Sequence, residues 1–188
     1  MIEDISPPKR APAPLDVLQR FVNSVSFERD EEELSSPESL KAWLAERGLI
    51  GPDDQVTEGD LRRALDVREG LRALLFANNG HPLDEPAVER LHRAASRAGM
   101  HLCFETGAPR LEPDATGVDG AMARLMAAVS ETTVDGTWER LKACPEETCR
   151  WAFYDRSKNR SAKWCSMETC GNMAKARTYR ARHRSATA

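Results

Sequence analysis

Four of the five cysteines lie in the last quarter of the chain, in two pairs that share one spacing. Cys144 and Cys149 enclose four residues, as do Cys165 and Cys170, and fifteen residues separate the two pairs. Two such pairs let two short turns each present two thiolates, which together complete a tetrahedral zinc site. Because these four ligands leave no coordination position for water, we expect one structural Zn²⁺ per chain and no catalytic metal.

The other residues with chemical potential form no recognisable catalytic group. No nucleophile–base arrangement, glycine-rich phosphate loop or carboxylate pair stands out, so we do not expect an enzyme. Cys103 is interpreted as a buried structural thiol, and the histidines on different predicted elements as surface or structural residues. These histidines are His81, His92 and His101.

Asp155-x-Ser157-x-Asn159 resembles the opening of a calcium-binding loop. The sixth position of such a loop requires glycine and is Arg160 here, and the twelfth requires glutamate and is Ser166. Calcium binding is therefore rejected. A turn capped by its own side chains is the better interpretation, because Asp, Ser and Asn readily bond to nearby backbone groups.

A net charge of −3 conceals a basic C-terminal segment on an acidic body. Residues 139–188 carry 12 basic and 5 acidic residues, a net +7, whereas residues 1–138 have a net charge of −10. Such a basic surface favours phosphates and makes DNA the expected partner, although the segment could instead dock on the acidic body of its own chain. The candidate nucleic-acid-binding residues are Arg156, Lys158, Arg160, Lys163, Lys175, Arg177, Arg180, Arg182 and Arg184.

The segment around the cysteines is predicted to be a small, metal-supported unit spanning residues 139–188. It holds several large aromatic side chains, which a domain with little core needs to shield its metal. Residues 150–154 and 161–165 are predicted to be two strands joined by the polar turn Asp155–Asn159. A basic helix is predicted from Met167 onward.

The body, residues 1–138, is predicted to be mainly helical with a small β element, which gives an α+β fold. Residues 1–14 are rich in proline and are predicted to be extended or disordered. Apolar periodicity and capping residues predict helices after Pro14, Ser36, Thr57 and Asp84 and over about 118–130. Met100–Phe104 and Arg110–Glu112 are predicted to be paired strands, and the acidic run 30–33 a solvated loop.

The N-terminus has no apolar stretch typical of a secretory signal, and no apolar run approaches the roughly 20 residues that span a bilayer. We therefore expect a cytoplasmic protein without a membrane partner. In that compartment, paired cysteines favour metal binding over disulfides.

Residues 144–172 resemble the bacterial CGNR zinc finger. The matching positions are Cys144, Cys149, Trp151, Phe153, Asp155, Ser157, Asn159, Trp164, Cys165, Ser166, Met167, Cys170, Gly171 and Asn172. Two N-terminal motifs, Phe21-Val22-Asn23-Ser24 and Leu40-x-x-Trp43-Leu44, resemble the start of the ABATE domain that precedes this finger.

The resemblance implies a stress-induced transcription regulator with a treble-clef-like finger (a β-hairpin plus a helix) that contacts DNA. It also implies that the N-terminal domain senses a small-molecule effector or a protein partner; the residues that bind a ligand are unknown from the sequence. Two positions depart from the family pattern. The arginine expected after Gly-Asn is Met173, and the aspartate expected before Phe21 is Arg20.

Two alternatives to a zinc-dependent DNA-binding regulator stay open at this point. In the first, zinc shapes a surface for protein interaction or self-association. In the second, the body binds a small molecule and the protein makes no contact with DNA.

Overall fold

The computed structural model describes residues 9–105, 107 and 109–185, with side chains up to residue 183. Most of the predicted lead-in over 1–14 lies outside this range. The mainly helical α+β prediction is confirmed. The helices are α1 (Leu15–Val22), α2 (Pro37–Glu46), α3 (Glu58–Asn78), α4 (Glu85–Ala98), α5 (Gly117–Val134) and α6 (Asn172–Ser185).

Helices α2, α3 and α4 begin at the predicted capping residues. Ser36 and Thr57 each accept a hydrogen bond from the backbone N–H three residues later, in reciprocal capping boxes. The Asp84 side chain accepts the Ala87 N–H and so caps α4. Helix α2 ends before Gly48, whose φ of +65° reverses the chain in a conformation that suits glycine. Local sequence signals therefore fix the starts of these three helices and the end of α2.

Three antiparallel strand pairs accompany the helices: β1 (Val25–Ser26) with β2 (Glu31–Glu32), β3 (Met100–Cys103) with β4 (Arg110–Pro113), and β5 (Leu141–Ala143) with β6 (Ala152–Tyr154). The β3–β4 pair was predicted and is confirmed. Cys103 is half-buried at the end of β3, so the prediction of a buried thiol is wrong.

The acidic run 30–33 is not a simple solvated loop. Its residues Glu31 and Glu32 form β2, and both carboxylate oxygens of Glu32 accept hydrogen bonds of 2.7 Å from Arg68 of α3. Arg68 is 5% exposed, and a buried guanidinium needs an anionic partner. The run is therefore held by an ion pair that hydropathy does not reveal.

The predicted strand over 161–165 is also wrong. The partner of β6 is β5, with Leu141 opposite Tyr154 and Ala143 opposite Ala152. Residues 161–165 stay irregular because side chains bind their backbone: Asp155 accepts the Ala162 N–H at 2.9 Å, and Asn79 donates to the Lys163 carbonyl at 2.8 Å. The hairpin of this region consequently encloses the first cysteine pair and not the turn Asp155–Asn159.

One hydrophobic core runs from the helices into this hairpin. Leu141, Ala143, Ala152 and Tyr154 belong to the same buried cluster as the apolar faces of α1, α3 and α5. Asn23, directly after α1, completes the contact, because its side chain accepts the Ala152 N–H at 2.7 Å and donates to the Ala152 carbonyl at 2.9 Å. The division at residue 138 stays a prediction, and β5 and β6 pack as part of the body.

Among the described residues, no helix combines the length and the apolar character needed to cross a membrane.

Candidate zinc centre and nucleic-acid interface

The two cysteine pairs meet at one point. The four Sγ atoms of Cys144, Cys149, Cys165 and Cys170 all lie within 4.8 Å of one another. The Sγ of Cys165 is 3.5 Å from that of Cys149 and 3.6 Å from that of Cys170. Zinc with four Zn–S bonds of about 2.3 Å separates its sulfurs by about 3.8 Å, so the cluster fits a tetrahedral zinc ion.

The first zinc turn, Cys144–Cys149, closes the β5–β6 hairpin. The Cys144 N–H donates to the Trp151 carbonyl at 2.9 Å, which continues the strand pairing up to the first ligand. The Glu146 carbonyl accepts the N–H groups of Cys149 and Arg150 at 2.9 and 3.0 Å. Arg150 has a φ of +53°, a left-handed conformation that turns the chain from the second ligand into β6.

The second zinc turn, Cys165–Cys170, leads into α6. The Ser166 side chain accepts the Thr169 N–H at 3.3 Å, and residues Met167–Gly171 form a single π-helical turn. Cys170 is buried in this turn at the start of the helix, where aligned backbone N–H groups favour a thiolate. The metal thus joins the hairpin to the first turn of α6.

The crowded thiols strongly shift one another's pKa values. Side-chain hydrogen bonds from Cys149 and Cys165 lower the pKa of Cys144 to about 2. The interaction with Cys144 raises the pKa of both Cys149 and Cys165, and burial raises the pKa of Cys170. A zinc ion bound by four thiolates would offset this mutual repulsion, because its charge stabilises the deprotonated form of each ligand.

A small apolar shell covers the zinc site. Phe153 is fully buried against Cys144 and Cys170, and Trp164 and Ala162 pack at its edge. Phe153 and Trp164 are therefore two aromatic residues that shield the metal site, as the sequence predicts. This cluster is separate from the main core, which indicates that the metal and a few large side chains organise the segment after β6.

A buried ion pair supports the turn Asp155–Asn159. The Lys142 Nζ donates to Asp155 Oδ2 at 2.8 Å and to the carbonyls of Arg160 and Ala162 at 2.6 and 3.1 Å. Although burial works in the opposite direction, hydrogen bonds from Lys142 and Ser157 leave the pKa of Asp155 lowered. Asp155 Oδ1 also accepts the Ser157 N–H at 2.9 Å, as expected of a side-chain-capped turn.

Lys142 gave no signal in the sequence, since a lysine between apolar residues of a short strand is ordinarily solvent-exposed. Glu146 was not singled out from the sequence either. It is 3% exposed, and its carboxylate accepts a hydrogen bond from the Arg177 guanidinium. This ion pair connects the first zinc turn directly to α6. Both residues serve to position the finger.

The candidate phosphate-binding residues before the second zinc turn are exposed but partly engaged. Arg160 forms a 2.6 Å ion pair with Glu139, and the Arg156 guanidinium donates to the Arg10 carbonyl at 2.9 Å. Lys158 and Lys163 are exposed. Glu139 itself belongs to residues 139–188, so this ion pair does not dock the basic segment on the acidic body.

Helix α6 carries the remaining candidates. Its residues beyond the first turn are exposed in the described range, and Lys175, Arg180 and Arg182 form no ion pair with described residues. Arg177 is tied to Glu146, and the side chain of Arg184 lies outside the described residues. Met173, in the position of the family's arginine, is 47% exposed on the first turn of the helix.

Comparison with known families gives two adjoining matches. Residues 15–137 match the ABATE family, described as "Putative stress-induced transcription regulator", and residues 140–183 match the CGNR zinc finger. A search of curated proteins found no match. The sulfur geometry and the CGNR match together identify one structural zinc site per chain. The chain belongs to the ABATE family and carries a C-terminal CGNR zinc finger.

Proposed function

We propose that this protein is a zinc-dependent DNA-binding regulator of transcription whose basic finger contacts phosphates and whose body responds to a ligand. The observation that carries the proposal is helix α6. It extends from the zinc site as a basic, solvent-exposed helix with little packing of its own. A helix packed on no core and rich in unpaired cations is suited to a polyanionic partner.

The dimensions of α6 suit a DNA groove. Its 14 residues span about 21 Å, and the major groove, about 12 Å wide, accepts a single helix. Lys175, Arg180 and Arg182 then approach phosphates while zinc and the Glu146–Arg177 pair hold the start of the helix in place. Zinc has a purely structural part in this mechanism, because cysteines take all four of its positions.

A salt titration of DNA binding tests the proposal. Release of counterions from DNA makes the logarithm of affinity fall linearly with that of salt, by about 0.9 per phosphate contact. We expect the zinc-loaded chain to show this dependence on duplex DNA of mixed sequence. The double variant Arg180→Gln, Arg182→Gln should reduce the slope by about 2.

Arg93→Gln is the matched control, since Arg93 is an exposed arginine of α4 whose ion pair with Glu89 is long, at 3.7 Å. It should leave both the affinity and the slope unchanged. Absence of binding at low salt by the zinc-loaded chain, or an equal loss of affinity in the control, would contradict the proposal.

A second candidate, a zinc-supported protein-interaction module, draws on the apolar side chains of the same segment. Met167, Met173 and Tyr179 are 50%, 47% and 63% exposed. In this case reversing the charge of Arg156, Lys158 and Arg160 leaves partner binding largely intact. If the same charge reversal abolishes DNA binding but leaves binding of a protein partner intact, the two functions use different side chains.

A further inference from the structure

A cavity of about 410 Å³ lies where α3, α4 and the first zinc turn meet. Its walls include Phe76 of α3, Ala87 and Arg90 of α4, and Arg150, directly after the first zinc turn. A volume of this size is within the range of small-molecule sites. A molecule bound in this cavity would touch both the body and the finger.

We propose that this cavity binds a small organic carboxylate that pairs with Arg150 and Arg90, and that its binding alters the position of α6. The second part rests on the proposed function, because α6 is the helix assigned to DNA. The first part concerns a binding site and stands independently of DNA.

Among the described residues, the charges around the cavity leave one guanidinium without an anionic partner. Glu69 and Arg150 both line the cavity, and the guanidinium groups of Arg68 and Arg72 lie beside Glu69. The Glu69 carboxylate already accepts hydrogen bonds of 3.1 and 3.0 Å from Arg68 and Arg72. Within the described part of the chain, Arg150 forms no ion pair, and its guanidinium lies over the rings of Phe27 and Phe76 at 4.6 and 5.7 Å.

Arg90 can supply a second contact to an anion. Its nearest carboxylate is that of Asp66 at 3.6 Å, and Asp66 is 56% exposed, so this pair is weak. A guanidinium presents parallel N–H groups that match the two oxygens of a carboxylate. Arg90 and Arg150 therefore both offer recognition to an anion in the cavity, one from the body and one from the finger.

The remaining walls restrict the class of ligand. Ala73, Phe76, Pro82 and Ala87 offer an apolar surface for a hydrocarbon or aromatic group. Acidic side chains also line the cavity, namely Glu69 and Asp84, and they repel a phosphate dianion more than a carboxylate. A monoanion with a small apolar body fits this combination.

A short series of contacts links Arg150 to α6. The Arg150 carbonyl accepts a 3.0 Å hydrogen bond from the buried Arg72, and its N–H donates to the Glu146 carbonyl at 3.0 Å. The Glu146 side chain in turn binds Arg177 of α6. A ligand that shifts Arg150 therefore acts on the turn that holds both a zinc ligand and the helix.

Benzoate is a suitable probe, and benzyl alcohol is its neutral counterpart of nearly the same shape. We expect a titration of the zinc-loaded, ¹⁵N-labelled full chain, in chloride buffer at constant ionic strength, to give saturable shifts of the Phe76 and Arg150 amides. The amides of Glu146 and Arg177 should shift with the same dissociation constant. Benzyl alcohol should bind at least about tenfold more weakly, since it lacks the charge-assisted hydrogen bonds.

Arg90→Gln and Arg150→Gln should each weaken benzoate binding about tenfold or more. Arg93→Gln removes the same charge from the exposed face of α4 and should leave it unchanged. Arg90→Gln keeps the test valid if Arg150→Gln, at a left-handed residue, does not fold. Absence of saturation up to tens of millimolar benzoate, equal binding of benzyl alcohol, or unchanged affinity in Arg90→Gln would overturn the assignment of the cavity.

The proposed effect of the ligand on α6 is tested separately from binding in the cavity. Benzoate should change the affinity of the wild-type chain for DNA but not that of Arg90→Gln. Benzoate shifts confined to the cavity, with Glu146 and Arg177 unmoved, would overturn the coupling. A chain that binds benzoate at the cavity but no DNA would instead overturn the proposed function and leave the carboxylate site standing.

Discussion

At the scale of single residues, Lys142 and Asp155 show how a charged pair can organise a region with little hydrophobic core. Their side chains are 6% and 0% exposed. Between them they bind Ser157, Arg160 and Ala162 through the backbone, so the loop that leads to the second zinc turn is ordered by side chains. Burial of such a pair favours one geometry, because either charge alone is costly.

Replacing Asp155 with Asn should destabilise the protein by about 3–5 kcal/mol, because it leaves the Lys142 ammonium buried without an anion. Urea unfolding followed by tryptophan fluorescence measures this change. Glu89→Gln is the control, since it breaks an exposed pair and should cost at most about 1 kcal/mol. A loss in Asp155→Asn no larger than in the control would show that the pair does not stabilise the fold.

At the scale of elements, α6 combines exposure, positive charge and attachment to the metal. Its first turn contains Met173 at the position where the family pattern has arginine. Met173 is about half exposed and close to Cys170, so a longer cationic side chain can be accommodated there. The methionine removes one positive charge from the end of the helix that zinc holds most firmly.

Met173→Arg should therefore strengthen DNA binding and make the slope of log affinity against log salt steeper by about 1. Met167→Arg is the comparison, because Met167 is equally exposed but precedes α6 in the π-helical turn. Fluorescence anisotropy with a labelled duplex over a range of salt concentrations gives both quantities. An unchanged slope in Met173→Arg would place the start of α6 away from the DNA backbone.

At the scale of the whole molecule, the hairpin that carries the first zinc turn is built into the body. Besides the shared apolar core, Asn78 donates to the carbonyls of Trp138 and Leu141, and Asn79 to that of Ala143. We expect the segment after β6 to depend on zinc and on the Lys142–Asp155 pair. Loss of the metal should consequently affect only part of residues 139–188.

Cys165→Ser should abolish stoichiometric zinc binding and remove hydrogen-exchange protection from α6, while the amides of β5 and β6 stay protected. Cys103→Ser, outside the cluster, should retain one zinc ion per chain and full protection. Elemental analysis and hydrogen exchange measured on both variants separate these cases. Simultaneous loss of protection in β5, β6 and α6 would mean that zinc supports the whole of residues 139–188.

Acid should weaken the finger in two steps. Zinc must displace protons from the thiols, so its affinity falls as the pH drops, starting well above the range of carboxyl groups. The lowered pKa of Asp155 contributes stability that is present above the unfolded value of about 3.9 and is lost as the pH falls through the folded value. As the pH is lowered, zinc release to a chromophoric chelator should come before the loss of stability due to Asp155. The Asp155→Asn variant should show only the step of zinc release.

The sequence by itself determined the parts whose causes are local. The spacing of the cysteines specified the zinc ligands, and capping residues such as Ser36, Thr57 and Asp84 specified helix starts, because their partners lie three residues away. The family motifs could be recognised for the same reason, because they consist of side chains at fixed spacing along the chain.

Only the tertiary structure decided which distant residues meet. Asn23 and Ala152 are 129 positions apart, Arg72 and Arg150 are 78 apart, and Lys142 reaches Asp155 only because β5 pairs with β6. Hydropathy is silent on such contacts, since it assigns these charged and amide side chains to solvent. Packing instead removes water from these side chains, so each needs a hydrogen-bond partner within the protein. The resulting contacts join the body to the finger.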